Sequence, residues 1–281
     1  MLPMPVALPM ACASAALAWG LLAPARAHDT WFELREQPSA TEQALALGTG
    51  NRFPVMEYPL GMEQLRHAGC RGDAGATLPL AHDADEPQAL RLRVARPIGG
   101  VALTCWTQTQ AFEIELTPGL VTLYLKEIQA PPAVRDAWAA QRANGQRWTE
   151  RYTKHARIEL PDDAGRLTLA TATGMQMDLL LLGAPRALQA GDTAEFQLLR
   201  DGRPLAGQAL ELLGDQSSIG LWRRTDARGR VRFTLPTAGR WLLRGTELRL
   251  AESGGVLWDS RFVTLAFAVG AAPVKAAATA D

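Results

Sequence analysis

The chain has 281 residues, of which 47% are hydrophobic and 21% charged, with 25 glycines and 18 prolines. That is apolar material for one large core or two ordinary ones, and it excludes a disordered, collagen-like or disulfide-only chain. Lys+Arg and Asp+Glu are both 29, so the charge points neither to nucleic acid nor to an anionic membrane surface.

Residues 11–23 (ACASAALAWGLLA) form an apolar run too short to span a bilayer comfortably, and it leads into Pro24-Ala25-Arg26-Ala27. This is the pattern of a secretion leader over residues 1–27, ending in an A-x-A cleavage site between Ala27 and His28. A retained anchor is the alternative, because no basic side chain precedes the apolar run. No later segment reaches about 18 uninterrupted apolar residues, so a periplasmic or secreted chain without a transmembrane helix is expected. Removing the leader removes Cys12 and leaves Cys70 and Cys105. An even pair in an oxidising compartment reads as one disulfide, worth about 3.8 kcal/mol by loop-closure entropy.

Beyond the leader, period-2 alternation dominates. Leu90, Leu92 and Val94 alternate with Arg91 and Arg93. Residues 112–116, 121–125, 230–235 and 263–269 follow the same rule, as half-buried strands between Gly- and Pro-marked turns. The fold class is therefore mainly β, in antiparallel sandwich layers. Residues 131–157 break the rule: Val134 and Trp138 stand four apart, and Trp148, Tyr152 and His155 fall at i, i+4 and i+7. Two helices separated at Asn144-Gly145 are predicted. The organisation expected is an N-terminal β domain (28–130), a helical insertion (131–157), linking strands (158–186), an Ig-like or transthyretin-like β-sandwich (187–270) and a flexible tail (271–281). Residues 163–169 and 226–232 resemble each other and read as two hairpin turns.

Cleavage before His28 gives this residue both an α-amine, of pKa near 8, and an imidazole, of about 6.5, and either loses its proton readily to a metal. Such an N,N pair suits Cu, Ni or Zn, and needs one more imidazole or carboxylate. The remaining histidines are the candidate partners, each with a plainer alternative. His67 also reads as an exposed loop or helix end, His82 as part of a solvated acidic loop, and His155 as a packed residue on the Trp148/Tyr152 face. Motifs of hydrolases, zinc proteases, P-loops and dinucleotide folds are absent, and no catalytic residue is assigned. Glu113 and Glu115 alternate with Phe112, Ile114 and Leu116, and read as a solvent-facing stripe rather than a glycosidase pair. Arg71-Gly72-Asp73 is too common a tripeptide to carry an adhesion reading.

His28-Asp29-Thr30-Trp31-Phe32, the block LGTGNRFP at 47–54, the run ERYTKHA at 150–156, and the C-terminal segments DGRPLAGQALELL, TDARGRVRFTLP and LWDSRFVTLAFAV occur in this order. Together they resemble the bacterial domain-of-unknown-function family forty-one ninety-eight, formerly labelled a periplasmic component of nickel uptake. The resemblance implies a secreted β-rich protein with an Ig-like C-terminal half, a link to nickel or cobalt uptake through a membrane transport system, and no established enzymatic activity. His28 is the one candidate ligand that it carries over. After Trp241-Leu242-Leu243 many members of the resembled family place a histidine, where this chain reads Arg244-Gly245-Thr246-Glu247; a ligand role for that histidine in them implies an altered or lost metal site here.

Three readings follow. The first is a binding or uptake-accessory protein for nickel or cobalt, with copper the chemical competitor, in which one of His155, His67 or His82 closes a site begun by His28. The second is an Ig-like carbohydrate- or protein-interaction module, marked by several tryptophan or tyrosine rings exposed on one face. The third is a copper mono-oxygenase built on His28, which requires a second histidine within its reach.

Overall fold

A computed structural model describes residues 28–36, 39, 41–73, 75–96, 100–183, 186–251 and 255–272. The leader expected over 1–27 and most of the expected tail lie outside them. The N-terminal half contains strands β1 (Asp29–Leu34), β2 (Glu42–Gly50), β3 (Tyr58–Pro59), β4 (Leu65–Arg71), β5 (Thr77–Leu78), β6 (Ala81–Asp85), β7 (Leu90–Ala95), β8 (Leu103–Thr109) and β9 (Phe112–Leu116). Helices α1 (Pro118–Glu127) and α2 (Pro132–Ala143) follow, and then the long strand β10 (Trp148–Leu160). The C-terminal part holds β11 (Met177–Leu182), β12 (Leu188–Gln189), β13 (Thr193–Arg200), β14 (Arg203–Pro204), β15 (Ala209–Gly214), β16 (Leu221–Arg224), β17 (Arg230–Thr234), β18 (Gly239–Leu250) and β19 (Leu257–Gly270).

These strands make three sheets. The largest runs β16-β15-β18-β19-β10-β8-β4-β5, with β9 added to β10 and β12 to β19. It takes strands from both halves that the sequence separates, and its central β10–β19 pair is parallel. Alternation along β19 explains how the layers stack. Ala266 joins Trp31, Leu45, Leu90 and Ile158 in a core shared with the sheet β1-β2-β7-β6. Its neighbours Val263, Leu265 and Phe267 point the other way, onto Phe196, Leu198 and Phe233 of the sheet β11-β13-β14 with β17. This second core has the Ig-like sandwich layering expected of the C-terminal part, and it also takes in Met177 and Leu179 of β11, which precede residue 187. Beyond the first core, the same face is covered by the helices, where Trp148 and Trp258 stack at 4.5 Å and Trp138 meets Trp148 edge-on.

Two predicted elements change type. Residues 121–125 lie in α1 rather than in a strand: the buried set is Val121, Tyr124, Leu125 and Ile128, at i, i+3, i+4 and i+7, while Leu123 is 65% exposed. Five residues fit both periods, and Pro118 at the first helical position decides between them. The second half of the predicted helical insertion is β10. Its Trp148, Tyr152 and Ala156 share one face with Ile158, whereas His155 belongs to the other. Covered on both faces, β10 buries residues of either parity, and the alternation that marks a strand disappears from its sequence.

The faint repeat is a shared turn. Asp162 Oδ1 accepts N–H bonds from Ala164 and Arg166, as Asp226 Oδ1 does from Arg228 and Arg230. Neither is a hairpin: no strand follows the first before β11, and the second links β16 and β17, which lie in different sheets. Cys70 and Cys105 face each other across the β4–β8 ladder and are joined as the expected disulfide. No helix among the described residues is long and apolar enough to cross a membrane.

Candidate functional site

His28 stands immediately before β1, whose first residue pairs with the last of β2, Asp29 opposite Gly50. After Gly50 the chain folds back over β2, closed by Val55 N–H to Arg52 O at 2.8 Å and Glu57 N–H to Thr49 O at 2.8 Å. Gly50 is required for this return, because a Cβ there would lie 2.2 Å from the Val55 carbonyl oxygen. The fold-back delivers Glu57 to His28, with Nε2 3.7 Å from Oε2, and sets the Tyr58 ring edge-on to the imidazole at 5.4 Å. Both side chains are partly sheltered, His28 at 16% and Glu57 at 35% exposure. Asn51 donates to Glu57 Oε2 from its side-chain amide at 2.8 Å and its backbone N–H at 3.4 Å, which fixes the carboxylate.

The strand behind His28 is held firmly. Thr264 Oγ1 donates to Thr30 O at 2.6 Å, and the Thr30 and Thr49 hydroxyls meet at 2.8 Å. Asp29 is buried and paired with the Arg244 guanidinium, which also binds Glu211 at 2.6 Å. Burial works against the charge on Arg244, but the Asp29 and Glu211 carboxylates outweigh it and hold its pKa above the ordinary arginine value. Nearby, burial pushes the Lys154 ammonium down to about 8, with Asp29 pulling the other way. Arg244 is thus a permanent cation at this corner, which can only donate and cannot ligate a metal.

The family described as Domain of unknown function (DUF4198) matches residues 25–246. The chain belongs to the DUF4198 family. That match takes in His28, Asn51, Glu57 and Arg244. No curated protein matches the chain. Among solved structures, the chicken CNTN1 FN1-FN3 domains are 10% identical, cover 88% of this chain and 68% of theirs, and give a TM-score of 0.19. The D0-D1 domain of Intimin is 12% identical, with 84% and 97% covered and a TM-score of 0.18.

In this DUF4198 chain the other histidines lie away from His28. His82 sits on β6 opposite Leu92, which faces Leu45, which faces Leu34. It therefore marks the far end of β1, where it is bound to Asp85 at 3.0 Å. His67 and His155 both oppose Gln108, from β4 and β10. Opposed residues share a face, and this one is turned away from β1. His67 Nε2 meets Thr173 O at 3.0 Å. Among the described residues no group of three or more His, Cys, Asp or Glu is arranged to hold a metal. The expected closure of the His28 site by His67, His82 or His155 does not form: His82 lies at the far end of β1, and His67 and His155 point to the face of the central sheet turned away from it.

His155 is 1% exposed and serves the core. Its Nδ1–H donates to Phe262 O at 2.8 Å, so Nε2 carries the lone pair, and this atom is buried without a hydrogen-bond partner. Burial pushes its pKa down to about 4 from 6.5; the Phe262 carbonyl and Asp201 oppose the shift and Arg261 adds to it. The unfolded chain therefore binds a proton from about pH 6.5 downward and the folded one only near pH 4, so stability falls across that window as pH drops. The loss expected from this residue is about 3 kcal/mol. Urea unfolding at several pH values should show a shallower acid limb for His155→Gln than for the natural chain, and equal slopes would contradict this origin.

The Arg71-Gly72-Asp73 tripeptide is engaged in the fold. Arg71 donates to Thr171 O and Ala172 O, and Asp73 Oδ1 accepts from Leu169 N–H at 2.9 Å. Glu113 and Glu115 are exposed on β9, as a charged stripe should be. The sequence reading missed Glu57 and Asn51. The signal available was the pair Gly48 and Gly50 followed by Pro54, which marks a tight return but does not say which side chain it delivers.

Proposed function

We propose that this DUF4198 protein is a secreted capture protein for a transition-metal ion, nickel or cobalt with copper as competitor, and that the ion is its cargo. The observation carrying this reading is the 3.7 Å approach of His28 Nε2 to Glu57 Oε2. That gap is shorter than two metal–ligand bonds of about 2.1 Å placed end to end, so one ion can join both atoms. In this reading cleavage after Ala27 frees the α-amine of His28, which chelates together with the ring's own Nδ1, so the imidazole turns to bring Nδ1 to the ion beside Glu57 and the set is N,N,O, which suits these ions. Asn51 supports it by orienting the carboxylate, as groups behind a ligand commonly do. The mechanism is capture and release to a membrane transport system, with no bond made or broken in a substrate.

The other readings find less support. Six tryptophans, including Trp31, Trp106, Trp148 and Trp258, are buried, which takes them out of any aromatic platform for a glycan. A mono-oxygenase needs a second histidine at His28, and none of the other three lies there. Glu57 is the residue to test. In calorimetric titration with Ni(II) and Cu(II), Glu57→Gln should bind at least about tenfold more weakly, while Glu63→Gln, on an exposed turn, should bind as the natural chain does. Unchanged affinity in Glu57→Gln would remove the carboxylate from the site.

A further inference from the structure

On the face of the central sheet turned away from His28, the ends of β4, β8, β10 and β19 form the floor of an open groove of about 490 Å³. This is the size range of small-molecule sites, which run from about 300 to 1,000 Å³. Its walls are unusually rich in cations. Arg66 stands on one side, on β4, and Arg151 and Arg261 stand on the other, on β10 and β19, against one lining carboxylate, Asp259.

Several of these donors are not spent within the fold. Arg66 makes no ion pair or hydrogen bond among the described residues, and Arg151 reaches Asp259 only at 3.6 Å. Arg261 is paired with Asp201 at 2.9 Å. Gln108 uses its side-chain oxygen to accept from Gln176 N–H at 2.9 Å, which leaves its amide hydrogens to the groove. Thr109 accepts from Lys154 N–H at 3.1 Å, so its hydroxyl proton also remains to be placed. A groove with this excess of N–H and O–H donors and a net positive lining is complementary to an anion.

The spacing narrows the class. β4 lies two strands from β10 and three from β19, so at the usual 4.8 Å spacing Arg66 rises from a strand roughly 10 Å from that of Arg151 and roughly 14 Å from that of Arg261. A ligand with acidic groups at both ends can meet cations from both sides of the groove at once, each carboxylate matching a guanidinium fork.

We propose that this groove binds a small organic anion bearing two or more carboxylates, one held by Arg66 and another by Arg151 and Arg261, with Gln108 and Thr109 donating between them. The site is separate from the His28 corner and does not depend on metal capture there.

The full chain, metal-free, is titrated calorimetrically with tricarballylate, succinate, inorganic phosphate and the neutral polyol erythritol. Tricarballylate is expected to saturate one site per chain, with phosphate at least about tenfold weaker and erythritol silent. Arg66→Ala, which removes no contact within the fold, should weaken tricarballylate about tenfold, as should Arg151→Ala. Glu57→Gln should leave this binding unchanged, which separates it from the metal site. Absence of carboxylate binding up to about 10 mM, equal affinity for phosphate, or full affinity in Arg66→Ala would each overturn the proposal.

Discussion

Replacing Arg157 by methionine is expected to destabilise the fold by about 3–5 kcal/mol, the largest effect of any single substitution considered. Arg157 is completely buried, on the face of β10 that carries His155. Its Nε–H donates to Glu159 at 2.7 Å and Nη1 donates to Asp178 at 3.1 Å and to Thr171 O at 3.2 Å. The carboxylates are satisfied on their other sides as well: Thr104 donates to Glu159 at 2.6 Å, and Thr173 donates to Asp178 from both backbone and hydroxyl. Methionine fills the space but leaves two carboxylates buried without their cation. The same guanidinium ties the irregular chain between β10 and β11 to the central sheet, so that segment should loosen first. Removing the carboxylates together with the arginine, in Arg157→Met/Glu159→Gln/Asp178→Asn, should cost less than the single change, because no uncompensated charge then remains. Urea unfolding of the three proteins decides it. A single substitution costing under about 1 kcal/mol would show the network to be energetically idle.

Breaking the Cys70–Cys105 disulfide is expected to cost about 3.8 kcal/mol, from the entropy of the loop it closes. The bond joins residues 35 apart, directly opposed in neighbouring strands and both fully buried. β4 lies near one end of the ten-stranded sheet, with only the two-residue β5 beyond it. The β4 end should therefore fray when the bridge is gone. The double variant Cys70→Ala/Cys105→Ala should show a matching drop in unfolding free energy, with amide exchange faster in β4 than in β19. A drop in which all strands exchange equally would mean that the bridge constrains the unfolded chain without holding this edge.

How much of this was legible in the residues depends on what each strand touches. β7, β9 and β17 present one face to solvent or to a polar layer, so Leu90, Leu92 and Val94 alternate with arginines and the sequence displays the strand directly. β10 packs on both sides, and its Trp148, Tyr152 and His155 imitate a helical spacing although His155 points opposite to the other two. Helix α1 is too short a pattern within residues 121–125 to be told from a strand without its buried Tyr124 and Ile128. At the candidate site, His28 was visible because its meaning follows from one feature, the cleavage pattern before it. Glu57 was not, because its approach to His28 depends on a fold-back across β2 that no local period encodes. Arg244 acquires its physical role only in the structure: it neutralises Asp29 at the start of β1. The partner histidines share only their chemistry: His82 lies at the far end of β1, and His67 and His155 lie on the sheet face turned away from it.

The proposed capture of a transition-metal ion rests on a free α-amine at His28 acting together with Glu57. Its most direct test is calorimetric titration of Ni(II) and Cu(II) into two preparations, one beginning at His28, verified by intact mass, and one carrying a single added glycine before it. The account predicts tight one-to-one binding by the first and a loss of at least about a hundredfold in the second, since the added residue removes the amine from the chelate. Equal affinities in the two would contradict it.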